Sequence, residues 1–198
     1  MVADVKIMAQ PKSASSCEFS VDRPIYPDRS FFFGSKESAE GSPLAERLFR
    51  IPQVASVLVA HNRVVVNKSG FEEWMLVGRQ VGTALREHVA SGEPPVSPAL
   101  QSRIPPQEEI RRRVQQVIDT RINPAVASHG GFIGLIDVKD NTIFIQLGGG
   151  CQGCGMADVT LKQGIEVEIR AAVPEVGEIL DTTDHAAGRN PYYTPSKK

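Results

Sequence analysis

Two thiols stand three positions apart in a run otherwise made mostly of glycine: Gly148-Gly149-Gly150-Cys151-Gln152-Gly153-Cys154-Gly155. A tight loop can bring both sulfurs to one side, where they could hold a single metal centre. The five glycines permit positive φ and leave no Cβ to block approach of the backbone. Backbone N–H groups freed in such a loop can donate to thiolate or sulfide. A helix is expected to start close behind, and its positive end favours thiolate over thiol.

Three chemistries compete for this pair. The cysteines could be small buried apolar residues in a turn, but five glycines are costly without a further reason. They could form a redox-active dithiol, whose usual setting is a βαβ unit with an aromatic residue or proline beside the first cysteine. Here glycine flanks both cysteines, which argues against that reading. They could bind metal. Two thiolates are then half a set, because zinc and iron–sulfur clusters usually take four protein ligands. The missing ligands would come from His or carboxylate, or from a second copy of the chain across a two-fold axis.

The chain holds three cysteines in all, too few and odd in number for a disulfide framework. Cys17 lies in an expected strand beside Phe19 and reads as a small core residue. His129 precedes two glycines at a helix end, where it could cap carbonyls. Asp184 and His185 follow the last expected strand, and a surface or docking role suits them better than a mononuclear zinc site. Lys162, Glu166 and Arg170, spaced by four, read as a solvated helix face with ion pairs. Trp74 and the phenylalanines are core candidates. No Ser/His/Asp set, paired-carboxylate site or phosphate loop is visible, and GGGCQG lacks the Lys-Ser/Thr that ends a P-loop. The expectation is a protein that is not an enzyme, with a thiol oxidoreductase using Cys151 and Cys154 as the alternative.

The elements that must position the cysteines fall in two halves. Ser91 to Pro106 reads SGEPPVSPALQSRIPP, and its five prolines resist helix and sheet. The reading is an α+β protein of two small domains: residues 1–92, an extended Pro-rich linker at 93–106, and residues 107–198 ending in a polar tail. About 90 residues on each side suffice for two small cores. In the first half Ser16 to Asp22 is a strand and Phe31 to Phe33 a buried aromatic run. Ser42 then Pro43 starts a helix. Val54 to Ala60 and Arg63 to Asn67 form a hairpin around His61-Asn62. A helix follows from about Phe71 to Val89. The second half runs helix, strand, strand, cysteine loop, helix, strand. The helix is Gln107 to Ser128. Phe132 to Val138 and Thr142 to Leu147 turn at Asp140-Asn141. The later helix is Met156 to Ala172, and the last strand Glu178 to Thr182.

Composition sets outer bounds. Of 198 residues 41% are hydrophobic and 23% charged, a globular profile. With 22 basic and 23 acidic side chains, the formal charge of -1 offers no whole-chain case for nucleic acid or an anionic membrane. No apolar run approaches the roughly 20 residues of a spanning helix. Met1 to Gln10 resembles neither a secretory signal nor a transit peptide, so the expected compartment is the cytoplasm.

The residues around the cysteines carry a resemblance. His129-Gly130-Gly131, the hairpin, LGGGCQGCGMADVTLKQGIEVEI (Leu147 to Ile169) and AVPEV (Ala172 to Val176) resemble the NifU-like C-terminal domain of Nfu-type iron–sulfur scaffold proteins. The likeness runs from about Glu108 to Asp184. SPLAERLFRI (Ser42 to Ile51) and the V-A-S-V hairpin after it more loosely resemble the Nfu N-terminal domain over Pro11 to Ala90. The resemblance implies an iron–sulfur scaffold or carrier. Cys151 and Cys154 would be the metal and cofactor ligands of a 4Fe–4S cluster, one per homodimer. The cluster would come from an upstream cluster-assembly scaffold and pass to apo iron–sulfur client proteins, with no nucleic acid or membrane partner. Phe132 departs from the pattern, which commonly has an acidic residue after HGG.

Overall fold

A computed structural model of the chain describes residues 5–128, 130–149 and 155–182. It divides into two units, Met1–Ile104 and Pro105–Lys198. The class is α+β, as the two hydrophobic periodicities along the sequence predict.

The first unit is built on a five-stranded sheet of order β1-β2-β5-β4-β3. Its strands are β1 (Ile7–Pro11), β2 (Ser16–Val21), β3 (Tyr26–Phe33), β4 (Val54–His61) and β5 (Arg63–Lys68), and every pairing is antiparallel. β2 and β5 alternate strictly between buried and part-exposed positions, the pattern of a sheet with one face on a core. His61, at φ +47, makes the tight turn between β4 and β5. Helices α1 (Pro43–Leu48) and α2 (Trp74–Ser91) supply Leu44, Leu48, Val77, Val81 and Leu85 to the same core. The Ser42 side chain accepts the Ala45 N–H at 3.2 Å, the expected N-cap. Phe31 and Phe33 are buried, but as alternate residues of an eight-residue strand. Cys17 is 1% exposed, and burial raises its thiol pKa.

One strand is missed here and one expectation fails. β1 is not foreseen, because four of its five residues face solvent and only Ile7 is part-buried. No periodicity marks such an edge strand; it is made by pairing with β2. The Pro-rich stretch is also no extended spacer over 93–106. Val96 is fully buried in the first unit's core, Ser42 Oγ donates to the Pro95 carbonyl at 2.6 Å, and Ser97 N–H bonds Gly41 O at 2.8 Å. Pro98–Gln101 forms a short helix, α3, with Pro98 in its first turn and Ser97 as N-cap. The prolines stiffen a segment that then docks, so the first unit extends to Ile104.

The second unit keeps the expected order α-β-β-α-β. α4 (Gln107–Val117) buries Ile110, Val114 and Val117, passes through a π-turn at Ile118–Ile122, and continues as α5 (Asn123–Ala127). The expected single helix is therefore interrupted. Pro124 has no N–H to give the preceding turn, and a widened turn accommodates it. β6 (Gly131–Lys139) and β7 (Thr142–Gly149) form an antiparallel hairpin turned at Asp140, φ +52. α6 (Gly155–Ala172) then leads to β8 (Ile179–Asp181), which pairs parallel with β7. The sheet order is β6-β7-β8. Ile133, Val138, Ile143, Ile145 and Leu147 are buried from the sheet, Ile165 and Ile169 from α6.

Candidate metal centre at the hairpin end

Cys151, Cys154 and His129, with Asp184 and His185, lie outside the described residues. The structure describes what holds the cysteine pair at both ends. β7 finishes at Gly149, two residues before Cys151, and α6 begins at Gly155, immediately after Cys154. Among the described residues no group of three or more His, Cys, Asp or Glu side chains is placed to hold a metal.

At the end of the hairpin glycine faces glycine. Gly131 pairs with Gly149, and Phe132 with Gly148. Gly149 has φ +62 and Gly130 φ +68, conformations that L side chains rarely adopt. A Cβ on Gly149 would run into the Gly130 carbonyl oxygen, and one on Gly148 into the ring of Phe132. The Phe132 ring thus lies over Gly148, and its residue stays 56% exposed. Gly149 is therefore required by close backbone approach as well as by φ, and Gly148 makes room for the Phe132 ring. β7 ends without a side chain, and the side chain at this end of the hairpin is the Phe132 ring of β6.

Hydrogen bonds fix this end to the helices. Asn123, at the start of α5, receives the Ile133 N–H on Oδ1 at 2.7 Å and donates from Nδ2 to Ile133 O at 3.1 Å. β6 is an edge strand, so the Asn123 amide acts as a short substitute neighbour. Sequence reasoning passed over this residue, and the only signal was an Asn-Pro pair late in a long helix. Gly130 N–H bonds Ala127 O at 2.9 Å, which closes α5 directly onto the glycine pair. Arg111 reaches Asp137 on β6 at 2.8 Å. Arg113 joins Glu175 at 3.1 Å and the Ala172 carbonyl at 3.0 Å, tying α4 to the far end of α6.

The Lys162, Glu166 and Arg170 face of α6 is not simply solvated. Lys162 Nζ is 2.8 Å from Asp181 Oδ2 of β8. Arg170 Nη1 donates to Val176 O at 2.7 Å, and burial, partly offset by Glu166 and Glu178, lowers its pKa to about 10. Burial likewise raises the Glu166 carboxyl pKa against the pull of Arg170 and Lys162. Spacing by four implied a polar face, but β8 and the 176–178 segment cover it. These contacts tie α6 to β8 and to the 176–178 segment.

An α-β-β-α-β unit with a CxxC between its central strand and a long helix is a NifU-like domain, and the model of that domain matches residues 114–180. Residues 5–92 match the model described as scaffold protein Nfu/NifU N terminal. The chain belongs to the Nfu-type iron–sulfur cluster proteins. Among curated proteins it is similar to the Fe/S biogenesis protein NfuA of Stutzerimonas stutzeri, 51% identical over 42% of this chain and 44% of the relative. It is 47% identical to NfuA of Pseudomonas aeruginosa over the same shares of each. The chain spans less than half the length of these relatives. A solved NifU-like protein from Saccharomyces cerevisiae aligns over 48% of this chain and 86% of its own, at 18% identity and a TM-score of 0.42.

Proposed function

We propose that this protein is a cytoplasmic carrier, not an enzyme, which takes up a 4Fe–4S cluster on the thiolates of Cys151 and Cys154 from each of two copies. The cluster is cargo, one per homodimer, received from an upstream scaffold and delivered to apo iron–sulfur proteins. The observation that carries this reading is the glycine-on-glycine end of the β6–β7 hairpin. It puts no β7 side chain beside the place where the cysteine pair begins, and the Phe132 ring on the facing strand has no ligand atom. The donor set supports it too: two soft thiolates per chain are half of the four that a cubane cluster takes.

Delivery is ligand exchange. Four iron–thiolate bonds to the carrier break, four to the acceptor form, and iron and sulfide keep their oxidation states. The acceptor thiols lose protons and the carrier thiolates regain them. A site made across an interface opens when the subunits part, so its ligand set is broken in one step. The test mixes cluster-loaded protein with an apo 4Fe–4S enzyme and an iron chelator. Acceptor activation that survives the chelator is expected. Activation abolished by chelator means that iron is released and rebuilt, and a colourless protein that catalytically reduces disulfides would make the pair a dithiol instead.

A further inference from the structure

Helix α2 carries two glycines that its own fold does not need. Glycine inside a helix is destabilising relative to alanine, and α2 is 18 residues long with Gly78 and Gly82 one turn apart. Neither has positive φ. A Cβ on Gly78 would sit 3.8 Å from the Phe19 ring, an ordinary contact, and one on Gly82 would meet only the mobile end of Arg86 at 3.5 Å. Alanine fits at both places. The two glycines hollow out one wall of an open groove of about 520 Å³ between α2 and strand β1. Ile7, Phe19 and Trp74 make its apolar lining, and Arg79 and Arg86 stand exposed along it. Among the described residues no carboxylate is paired with either arginine.

We infer that the groove between α2 and β1 docks an acidic segment of a second protein, with apolar side chains on the Trp74 wall and carboxylates on Arg79 and Arg86. Gly78 lets the visiting backbone lie close against the helix, Gly82 is buried until the Arg86 side chain over it swings onto a visiting carboxylate, and the charge of the rim selects the sign of the visitor. The chain's own tail does not suit. Residues 183–198 hold Arg189, Lys197 and Lys198 against one carboxylate, Asp184. This inference rests on the groove alone and not on cluster carriage.

Trp74 is the single tryptophan of the chain, so emission excited on the red edge, where the three tyrosines do not absorb, reads the surroundings of this side chain. The probes are a peptide of alternating leucine and glutamate and its leucine–lysine counterpart. The glutamate peptide is expected to shift Trp74 emission saturably and the lysine peptide to leave it unchanged, also in a Cys151→Ala/Cys154→Ala variant that holds no cluster. Arg79→Glu with Arg86→Glu should weaken the glutamate peptide roughly tenfold. Gly78→Ala with Gly82→Ala should raise Tm and yet weaken the peptide by a similar factor, a split that a merely structural role does not produce. The inference is overturned by equal response to both peptides, by no saturable response, or by affinity indifferent to the alanines. It is equally overturned if emission changes with protein concentration alone, which makes the occupant a second copy, or with phosphatidylglycerol vesicles but not peptide, which makes it a lipid surface.

Discussion

The two units use glycine in opposite ways. At the end of the second unit's hairpin, Gly149 is compulsory, since it sits at positive φ and a Cβ on it would collide with the Gly130 carbonyl, while Gly148 lies under the Phe132 ring. In the first unit, Gly78 and Gly82 are optional for the fold, and room for a methyl group is already there. The cysteines divide along the same line. Cys17 is buried on the core face of the five-stranded sheet, whereas Cys151 and Cys154 follow a strand that ends in glycines. Glycine that the fold demands marks where the backbone must come close to itself. Glycine that the fold could do without marks where something else comes close.

The hardest blow to this contrast would come from the cysteines. Cys151→Ala or Cys154→Ala is expected to abolish cluster content after anaerobic reconstitution, measured as iron and sulfide per chain. Cys17→Ala should keep it near wild type and lower stability by about 1 kcal/mol. Loss of cluster in the Cys17 variant would erase the division. The boundary between the units comes next. A fragment of residues 1–104 should fold alone, while residues 1–92 should be less stable by about 2–3 kcal/mol. The shorter fragment lacks the buried Val96 and the acceptor of the Ser42 hydroxyl. Equal urea midpoints would return 93–104 to the role of a free linker.

Gly149→Ala tests the compulsory glycine. Its strained φ and the clash with Gly130 should lower the stability of residues 105–198 by about 1–3 kcal/mol and reduce cluster content with it. Asn123→Ala removes both bonds to Ile133 and should cost about 1–3 kcal/mol, with faster hydrogen exchange at the Ile133 amide. A variant as stable as wild type would mean that water replaces the amide at that edge. The smallest effect is in the first unit's core. His88 is 3% exposed, and burial, helped by Arg47 and opposed by Glu93, lowers its pKa from 6.5. The unfolded chain therefore takes up the proton first, and stability should fall as pH drops below 6.5 by at most about 1.4 kcal/mol per pH unit. His88→Gln should flatten that limb in thermal melts of the 1–104 fragment, and an unchanged slope would assign the acid sensitivity to other groups.

Element order in the second unit could be read from sequence because strong periodicities carry it, and because Asp140-Asn141 and Pro174 punctuate it. The cysteine pair is proposed for a different reason: thiols and clustered glycines are rare enough to be chemical signals by themselves. What could not be read depends on tertiary partners. β1 has almost no buried residue of its own. Val96 looks like one apolar residue stranded among prolines until the core of the first unit receives it. The Asn123 bonds and the covered face of α6 depend on β6 and β8, whose positions no local pattern encodes. The groove on α2 was invisible for the same reason, since one wall belongs to the unforeseen strand.

The parallel pairing of β8 with β7 has a consequence for timing during synthesis. Ile143–Ile145 find their partners Ile179–Asp181 only after α6 has been made and has crossed the sheet. Until then the hairpin is a two-stranded ribbon with β7 open along one edge, although both cysteines have already left the ribosome. Pairing of this kind is non-local and slow to form. Nascent chains will therefore pass through an interval in which the thiols are present but the pairing of β8 with β7 is not. Metal or oxidant met in that interval would find an ungoverned dithiol, and the length of the interval is set by the roughly thirty residues between β7 and β8.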